Sequence, residues 1–254
     1  MNALILAAGL GTRLGVLTSN CPKALVKVAG RTMLEHQILK LKAAGFDHIA
    51  VNVHHFADQI TEFLRLNDNF GTDIIVSDER ELLLDTGGGI RKAFHLFHDD
   101  APMLVHNVDI FSTTDLGKFY REHIDSDADA TLLTASRKTS RYLHFDRDMR
   151  LRGWSNENSG EIRSPYPDFR KETCTPLAFQ GIHVISRSTL PLLDGISAER
   201  FSITDFYVSN ADRLNLRAVF EDSGNWVDAG KPEALQTAAG ICMQEISKQI
   251  HNFA

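Results

Sequence analysis

The sequence predicts an α/β fold, a mixed, mostly parallel sheet flanked by helices. Two observations carry this. Apolar runs of strand length recur at residues 2–7, 48–53, 73–76 and 103–108. Between them lie segments whose apolar residues repeat every three to four positions, the period of a helix with one buried face. The order strand–helix–strand–helix implies parallel strands joined by right-handed crossovers. Ligands on such sheets sit at the carboxyl ends of the strands, so the residues that follow each strand carry the candidate chemistry.

Each element has a local reason. Thr32 and Glu35 have the spacing of a capping box, Leu34, Ile38 and Leu41 then share one helical face, and Gly45 stops that helix. Ile60, Phe63 and Leu64 mark the inner face of the next helix, and another helix is expected from about residue 90. The second half is less regular. Residues 131–135 read as a strand, and 142–145 with 151–154 read as a hairpin around Asp146, Arg147 and Asp148. Residues 156–171 are polar and rich in turn formers, which predicts a flexible, lid-like loop. A strand over 177–185, a helix over 203–211 and a strand over 216–220 follow, and Pro232 suits the first turn of the last helix. The expected organisation is one domain over 1–254, with a nucleotide-binding half at 1–135 and a sugar-binding, metal-completing half at 136–254.

Composition narrows the function classes. A net charge of −6 argues against a nucleic-acid partner while leaving room for a local basic pocket. No run approaches the roughly 20 apolar residues of a membrane helix. The amino terminus opens on a core-like strand with no signal-peptide pattern. Cys21, Cys174 and Cys242 are odd in number and widely spaced, which disfavours a disulfide framework or structural zinc and suits a reducing cytoplasm. His54 and His55 are adjacent and lack the spacing of a metal site.

The most specific stretch follows the first strand. Leu4, Ile5 and Leu6 run into Ala7-Ala8-Gly9-Leu10-Gly11-Thr12-Arg13, and Pro22-Lys23-Ala24-Leu25 comes soon after. Small residues let the backbone approach a ligand, its N–H groups can cradle an anion, and Arg13 and Lys23 add fixed positive charge. Leu14 stands where a third glycine would complete G-x-G-x-x-G, and no G-K-[ST] follows, so neither the dinucleotide nor the P-loop fingerprint applies. Asp109 ends the strand 103–108, where a carboxylate can ligate Mg²⁺ together with phosphate oxygens and water. Leu84-Asp85-Thr86-Gly87-Gly88-Gly89 suggests a backbone edge able to lie against a flat ring at a helix start.

The string Leu-Ala-Ala-Gly-x-Gly-Thr-Arg-Leu with Pro-Lys-Ala-Leu after it resembles the signature of the sugar 1-phosphate nucleotidyltransferases. The resemblance covers nearly the whole chain and weakens between about 140 and 200. It implies a Rossmann-like fold of the nucleotide-diphospho-sugar transferase type. No hexapeptide pattern announces the C-terminal β-helix that many relatives append. It implies that Ala7, Ala8, Gly9, Gly11 and Thr12 hold the triphosphate, that Arg13 and Lys23 are catalytic, and that Thr86, Gly87 and Gly88 line the nucleoside pocket. Asn225-Trp226-Val227-Asp228-Ala229-Gly230-Lys231-Pro232 resembles the family's Trp-x-Asp-x-Gly-x-Pro motif, which makes Asp228 the second Mg²⁺ ligand beside Asp109. Gln180 and Gly181 fall on a family stretch that lies against the sugar. Val16 and Val108 depart from the family's usual proline and glycine.

The form Leu-Asp-Thr-Gly-Gly-Gly-Ile is similar to that of N-acetylmuramate 1-phosphate uridylyltransferases, which implies UTP and that sugar phosphate as substrates. Guanylyltransferases acting on mannose or heptose 1-phosphate are the alternative. A non-catalytic sensor of nucleotide sugars and a glycosyltransferase are readings of other classes. Asn107-Val108-Asp109 lacks the Asp-x-Asp of the latter. The resemblance is compatible with a cytoplasmic monomer or homodimer.

Overall fold

The computed structural model describes residues 1–221 and 225–251, the side chains of 246–251 excepted. In chain order the first elements are β1 (Asn2–Leu6), β2 (Lys27–Val28), β3 (Arg31–Thr32), α1 (Met33–Ala43), β4 (His48–Val53), α2 (Ala57–Leu66), β5 (Asp73–Asp78), α3 (Asp85–Phe94), β6 (Met103–Asn107) and β7 (Ile110–Ser112). There follow α4 (Leu116–Ile124), β8 (Ala130–Ala135), β9 (Arg141–Phe145), β10 (Leu151–Asn156), β11 (Glu161–Arg163), β12 (Thr175–Ile185), α5 (Leu190–Asp194), α6 (Ile203–Ser209), β13 (Leu216–Phe220), β14 (Trp226–Asp228) and α7 (Leu235–His251). They gather into two compact units that interleave along the chain. One holds the described residues of 1–83, 106–117 and 223–254, the other those of 84–105 and 118–222. The division is therefore not sequential: Asp228, expected from the second half, belongs to the same unit as Asp109.

In the first unit β1, β4 and β5 are parallel, with Leu4 opposite Ala50 and Ala50 opposite Ile75. Ala3, Leu4, Ile5, Ile49, Ala50 and Val51 are wholly buried, as strands covered on both faces must be. The Thr32 hydroxyl accepts from the Glu35 N–H at 3.1 Å and caps α1, which buries Leu34, Ile38 and Leu41. Antiparallel β7 and β14 place Asp228 opposite Ile110, and α7 packs against both strands. Neither three-residue strand carries a periodic signal, because so short a strand is defined by its partner.

In the second unit β8 is antiparallel to β12 and parallel to β13, while β9 is antiparallel to both β12 and β10. The expected flexible loop over 156–171 is instead anchored. β11 pairs with β10, the Ser164 hydroxyl donates to the Arg152 carbonyl at 2.6 Å, and the Tyr166 hydroxyl donates to the Ala211 carbonyl at 2.6 Å. The Arg152 guanidinium lies 3.5 Å from the Tyr166 ring centroid and that of Arg163 lies 3.9 Å from the Trp154 ring centroid. Polar composition here reflects cation–π stacking and backbone bonds, not mobility.

Helix α3 begins at Asp85, within the stretch read as a helix start, and the glycines expected ahead of residue 90 lie inside it. A Cβ on Gly87 would strike the Phe201 ring, and one on Gly88 would strike the Glu199 carbonyl. Arg91 holds that segment against the helix, donating to the carbonyls of Ile196 at 2.8 Å and Ala198 at 3.2 Å. Close packing thus overrides the low helix propensity of glycine. A Gly88→Ala substitution is expected to cost about 1–3 kcal/mol by overpacking, which equilibrium denaturation measures.

His183 of β12 is fully buried between Phe179 and Tyr207, with ring centroids at 5.5 and 5.6 Å, and burial pushes its pKa down to about 3. The folded chain keeps this ring neutral where the unfolded chain, with an ordinary value near 6.5, binds a proton. Stability from this site is present above the unfolded value and is lost as pH falls below it. Thermal unfolding followed between about pH 6.5 and pH 4 should therefore decline less steeply in His183→Phe than in the wild type.

Candidate active site

The glycine-rich loop leaves β1 under tight control. The N–H groups of Ala7 and Ala8 both donate to Asn52 Oδ1, at 2.6 and 3.1 Å. Asn52 Nδ2 in turn donates to Glu79 Oε1 at 2.9 Å. The amides of Ala7 and Ala8 therefore serve the loop's own geometry. Each of the two N–H groups is thus engaged within the fold. Beyond them Gly9, Thr12 and Arg13 are exposed. Gly11 adopts φ 67°, and a Cβ there would lie 2.9 Å from Lys23 Cβ, so both the backbone angle and the lysine beside it require glycine. The Gly11 carbonyl accepts from Leu14 N–H at 2.9 Å and from the Thr18 hydroxyl at 3.0 Å, which closes the turn into the short helical stretch Thr12–Thr18.

Four charges meet beside this loop. Lys23 Nζ lies 2.7 Å from Asp109 Oδ2, and Arg13 lies 3.5 Å from Asp228 Oδ2 and 3.9 Å from Asp109 Oδ2. Asp109 follows β6 and is only 5% exposed. The β7–β14 pairing brings Asp228 alongside, and the Ala229 N–H donates to the Asp109 carbonyl at 2.8 Å. From α1 the buried Gln37 amide donates to the Ile110 carbonyl at 2.7 Å and fixes the strand that follows Asp109. Val108 is wholly buried and its N–H donates to the Leu6 carbonyl at 3.1 Å. Its side chain is part of the core.

Gly230 is the centre of the cluster. A Cβ there would lie 2.5 Å from Arg13 Nη2, 2.7 Å from Asp228 Oδ1 and 3.0 Å from Asp109 Oδ2. The two carboxylates thus converge on one point beside Gly230, where a Cβ would have to displace their oxygens and the Arg13 guanidinium. Such a pair fits a hard divalent cation that takes its remaining ligands from phosphate oxygens and water. Among the described residues no group of three or more His, Cys, Asp and Glu side chains gathers to hold a metal by itself. His54 is bonded through Nδ1 to the Glu79 carbonyl at 2.7 Å, and His55 lies against Phe56. Burial raises the Cys21 pKa, the opposite of an activated thiol.

The other expected site residues lie in the second unit. The Thr86 hydroxyl accepts from the Ile203 N–H at 2.9 Å, and Gly87 N–H donates to the Phe201 carbonyl at 2.9 Å. Their own chain thus gives Gly87 and Gly88 a sufficient reason to be glycine. Gly181, with φ 75°, sits at the bulge of β12. Gln180 is buried, and its Nε2 donates to the Glu221 carbonyl at 3.2 Å. That bond engages the amide nitrogen of Gln180 within the second unit. The Ser202 hydroxyl accepts from the Asp205 N–H and caps α6, so Asp205 belongs to a helix start.

Sequence pattern did not single out Gly230, Asn52 or Glu79. Gly230 had a signal in the Trp-x-Asp-x-Gly motif. Asn52 had a weaker one, as a polar residue at the end of an otherwise apolar strand.

A family model described as MobA-like NTP transferase domain matches residues 3–164. An N-acetylmuramate alpha-1-phosphate uridylyltransferase of Caulobacter vibrioides is 46% identical over 109 residues, 42% of this chain and 45% of that protein. A mannose-1-phosphate guanyltransferase of Gibberella zeae is 29% identical over 260 residues, 98% of this chain and 66% of that protein. The matches thus span less than two thirds of these relatives' own length. The fold is that of the HddC protein of Yersinia pseudotuberculosis complexed with GMP-PN, at TM-score 0.72 and 21% identity over 94% of this chain and 98% of that one. An inositol-1-phosphate CTP transferase of T. maritima shares it too, at TM-score 0.72 and 14% identity over 94% of this chain and 95% of that one. Among the described residues no helix is long and apolar enough to cross a membrane.

The cradle around Gly230 makes a prediction. Gly230→Ala should weaken Mn²⁺ binding at least about tenfold, because the methyl group lands on the point where the carboxylates converge. Titration followed by electron paramagnetic resonance reads this directly. Unchanged affinity would place the cation elsewhere.

Proposed function

The chain belongs to the MobA-like NTP transferase domain family, and from that premise we propose that it is a sugar 1-phosphate nucleotidyltransferase. The observation that carries this reading is the convergence of Arg13, Asp109 and Asp228 beside Gly230, with Lys23 paired to Asp109 next to the glycine-rich loop. The reaction joins the sugar phosphate to a nucleoside triphosphate. A sugar 1-phosphate oxygen attacks the α-phosphorus, the bond between the α-phosphorus and the bridging oxygen breaks, and pyrophosphate leaves with that oxygen. The nucleophile is already an anion, so the protein's tasks are alignment and neutralisation of charge.

In this reading Lys23 and Arg13 exchange carboxylate partners for phosphate oxygens when the triphosphate enters. Asp109 and Asp228 are then available to a divalent cation, Mg²⁺ by its preference for carboxylate and phosphate oxygens. When bound, that cation supplies further neutralisation of the phosphate oxygens. The loop from Gly9 to Arg13 faces the triphosphate, with Thr12 exposed among its residues. By the family resemblance, Thr86, Gly87 and Gly88 are assigned to the nucleoside and Gly181 to the sugar.

UTP and N-acetylmuramate 1-phosphate are the proposed substrates. The support is the Caulobacter vibrioides relative together with Leu84-Asp85-Thr86-Gly87-Gly88-Gly89. GTP with mannose 1-phosphate is the second reading, supported by the relative that aligns along nearly the whole chain. A purely regulatory, non-catalytic module is disfavoured, because two cations and two carboxylates held this close serve no packing need.

Pyrophosphate release tests the proposal. UTP, GTP, CTP and dTTP are each offered with Mg²⁺ and a panel of sugar 1-phosphates that includes N-acetylmuramate 1-phosphate. One strongly favoured pair is expected, and release from none would overturn the reading. Arg13→Ala should lower kcat by about 10²–10³-fold with a smaller change in KM. Asp109→Asn should abolish metal-dependent turnover.

A further inference from the structure

The parallel strands β1, β4 and β5 deliver three residues to one edge of the first unit. Leu6 is opposite Asn52, and Asn52 is opposite Ser77. The residues just past these pairs, Ala7 and Ala8 on one side and Glu79 on the other, are joined through the Asn52 side chain. Asn52 is 3% exposed and Glu79 2%. We propose that Asn52 and Glu79 are positioning residues, a buried relay that sets the direction in which the glycine-rich loop leaves the sheet. The inference rests on the transferase reading only for its nucleotide-affinity readout.

The polarity of the relay admits one arrangement. The two backbone N–H groups can only donate, so Asn52 must turn Oδ1 toward them. Its Nδ2 can only donate, so the group behind it must accept, and Glu79 Oε1 does. Glu79 is itself fixed. Its N–H donates to the Val53 carbonyl at 2.8 Å, and its carbonyl accepts from Leu82 N–H at 3.1 Å and pairs with His54 Nδ1 at 2.7 Å. Glu79 therefore sets the rotamer of Asn52, and Asn52 sets the orientation of the Ala7 and Ala8 peptide planes. Gly9 to Arg13 continue from those planes. Neither residue is assigned to substrate, so their effect on transfer runs through the loop. A buried carboxyl group is costly unless hydrogen-bonded, and an apolar pair of equal size would fill the same volume. An apolar pair would leave two buried amides without an acceptor.

A polarity swap tests this. In Asn52→Asp the amides keep an acceptor, but two carboxyl groups then face each other. Glu79→Gln alone keeps an acceptor for Asn52 Nδ2 and should be nearly silent. Combining Asn52→Asp with Glu79→Gln gives the introduced carboxylate a donor from the introduced amide. Two readouts are taken: hydrogen exchange at the Ala7 and Ala8 amides, and affinity for a non-hydrolysable nucleoside triphosphate. Asn52→Asp should speed exchange and weaken binding, each at least about tenfold. The double variant should return both to within about threefold of wild type. If Asn52→Asp does not fold, folding and protection in the double variant are the rescue. A double variant as impaired as Asn52→Asp overturns the proposal, as does wild-type exchange in Asn52→Asp. Wild-type protein that binds no nucleoside triphosphate overturns the transferase reading instead, and the exchange rates still decide the relay.

Discussion

Asp109 and Asp228 are brought together beside the glycine-rich loop, and Lys23 and Arg13 are placed against them. The β7–β14 pairing and the Ala229 N–H bond to the Asp109 carbonyl force them onto one point, where like charges at short range disfavour each other. Lys23 and Arg13 offset the repulsion, and the path of Lys23 past Gly11 leaves that residue no room for a side chain. Loop shape, cation placement and strand pairing are thus one constraint. In the proposed reaction a polyphosphate competes for the same cations, so the resting charge balance is also the state from which substrate binding proceeds.

The second unit solves a different problem. Its helix α3 approaches the segment 196–201 so closely that Gly87 and Gly88 have no room for a side chain, and Arg91 binds the carbonyls of that segment. Burial there is deep enough to keep rings neutral. His183 titrates only near about 3, and the Tyr207 hydroxyl is pushed well above its usual range. His123 is held down to about 4 by burial while pairing with the hydroxyls of Thr131 and Ser186, at 2.8 and 2.9 Å. These are packing features, remote in kind from the charged cluster of the first unit.

Much of this was legible residue by residue. The strand over His48–Val53 matches its apolar run, Thr32 caps α1 as its spacing implies, and Asp146 accepts from the Asp148 and Arg150 N–H groups in the expected hairpin turn. Arg13, Lys23, Asp109 and Asp228 were identified from motif and resemblance, and they do come together. Other features were hidden. That Gly87, Gly88 and Gly89 lie inside α3 was not legible, because propensity disfavours three glycines in a helix. Residues 156–171 read as a flexible loop because polar side chains that stack on aromatics look the same in sequence as those that face water. That Asn52 takes up the Ala7 and Ala8 N–H groups was hidden, because a backbone N–H shows no sign of its partner in sequence.

The sequence by itself determined the alternation of strands and helices, the glycine-rich loop after the first strand and the residue types able to neutralise a polyphosphate. These are local properties, written in hydrophobic period and residue chemistry over a few positions. Tertiary structure alone decided which N–H groups are already engaged, which charged side chains crowd Gly230, and that Asn52 and Glu79 stand behind the loop. Each of those depends on atoms from distant segments meeting within hydrogen-bond or van der Waals distance. A linear pattern carries no record of such meetings until the chain has folded.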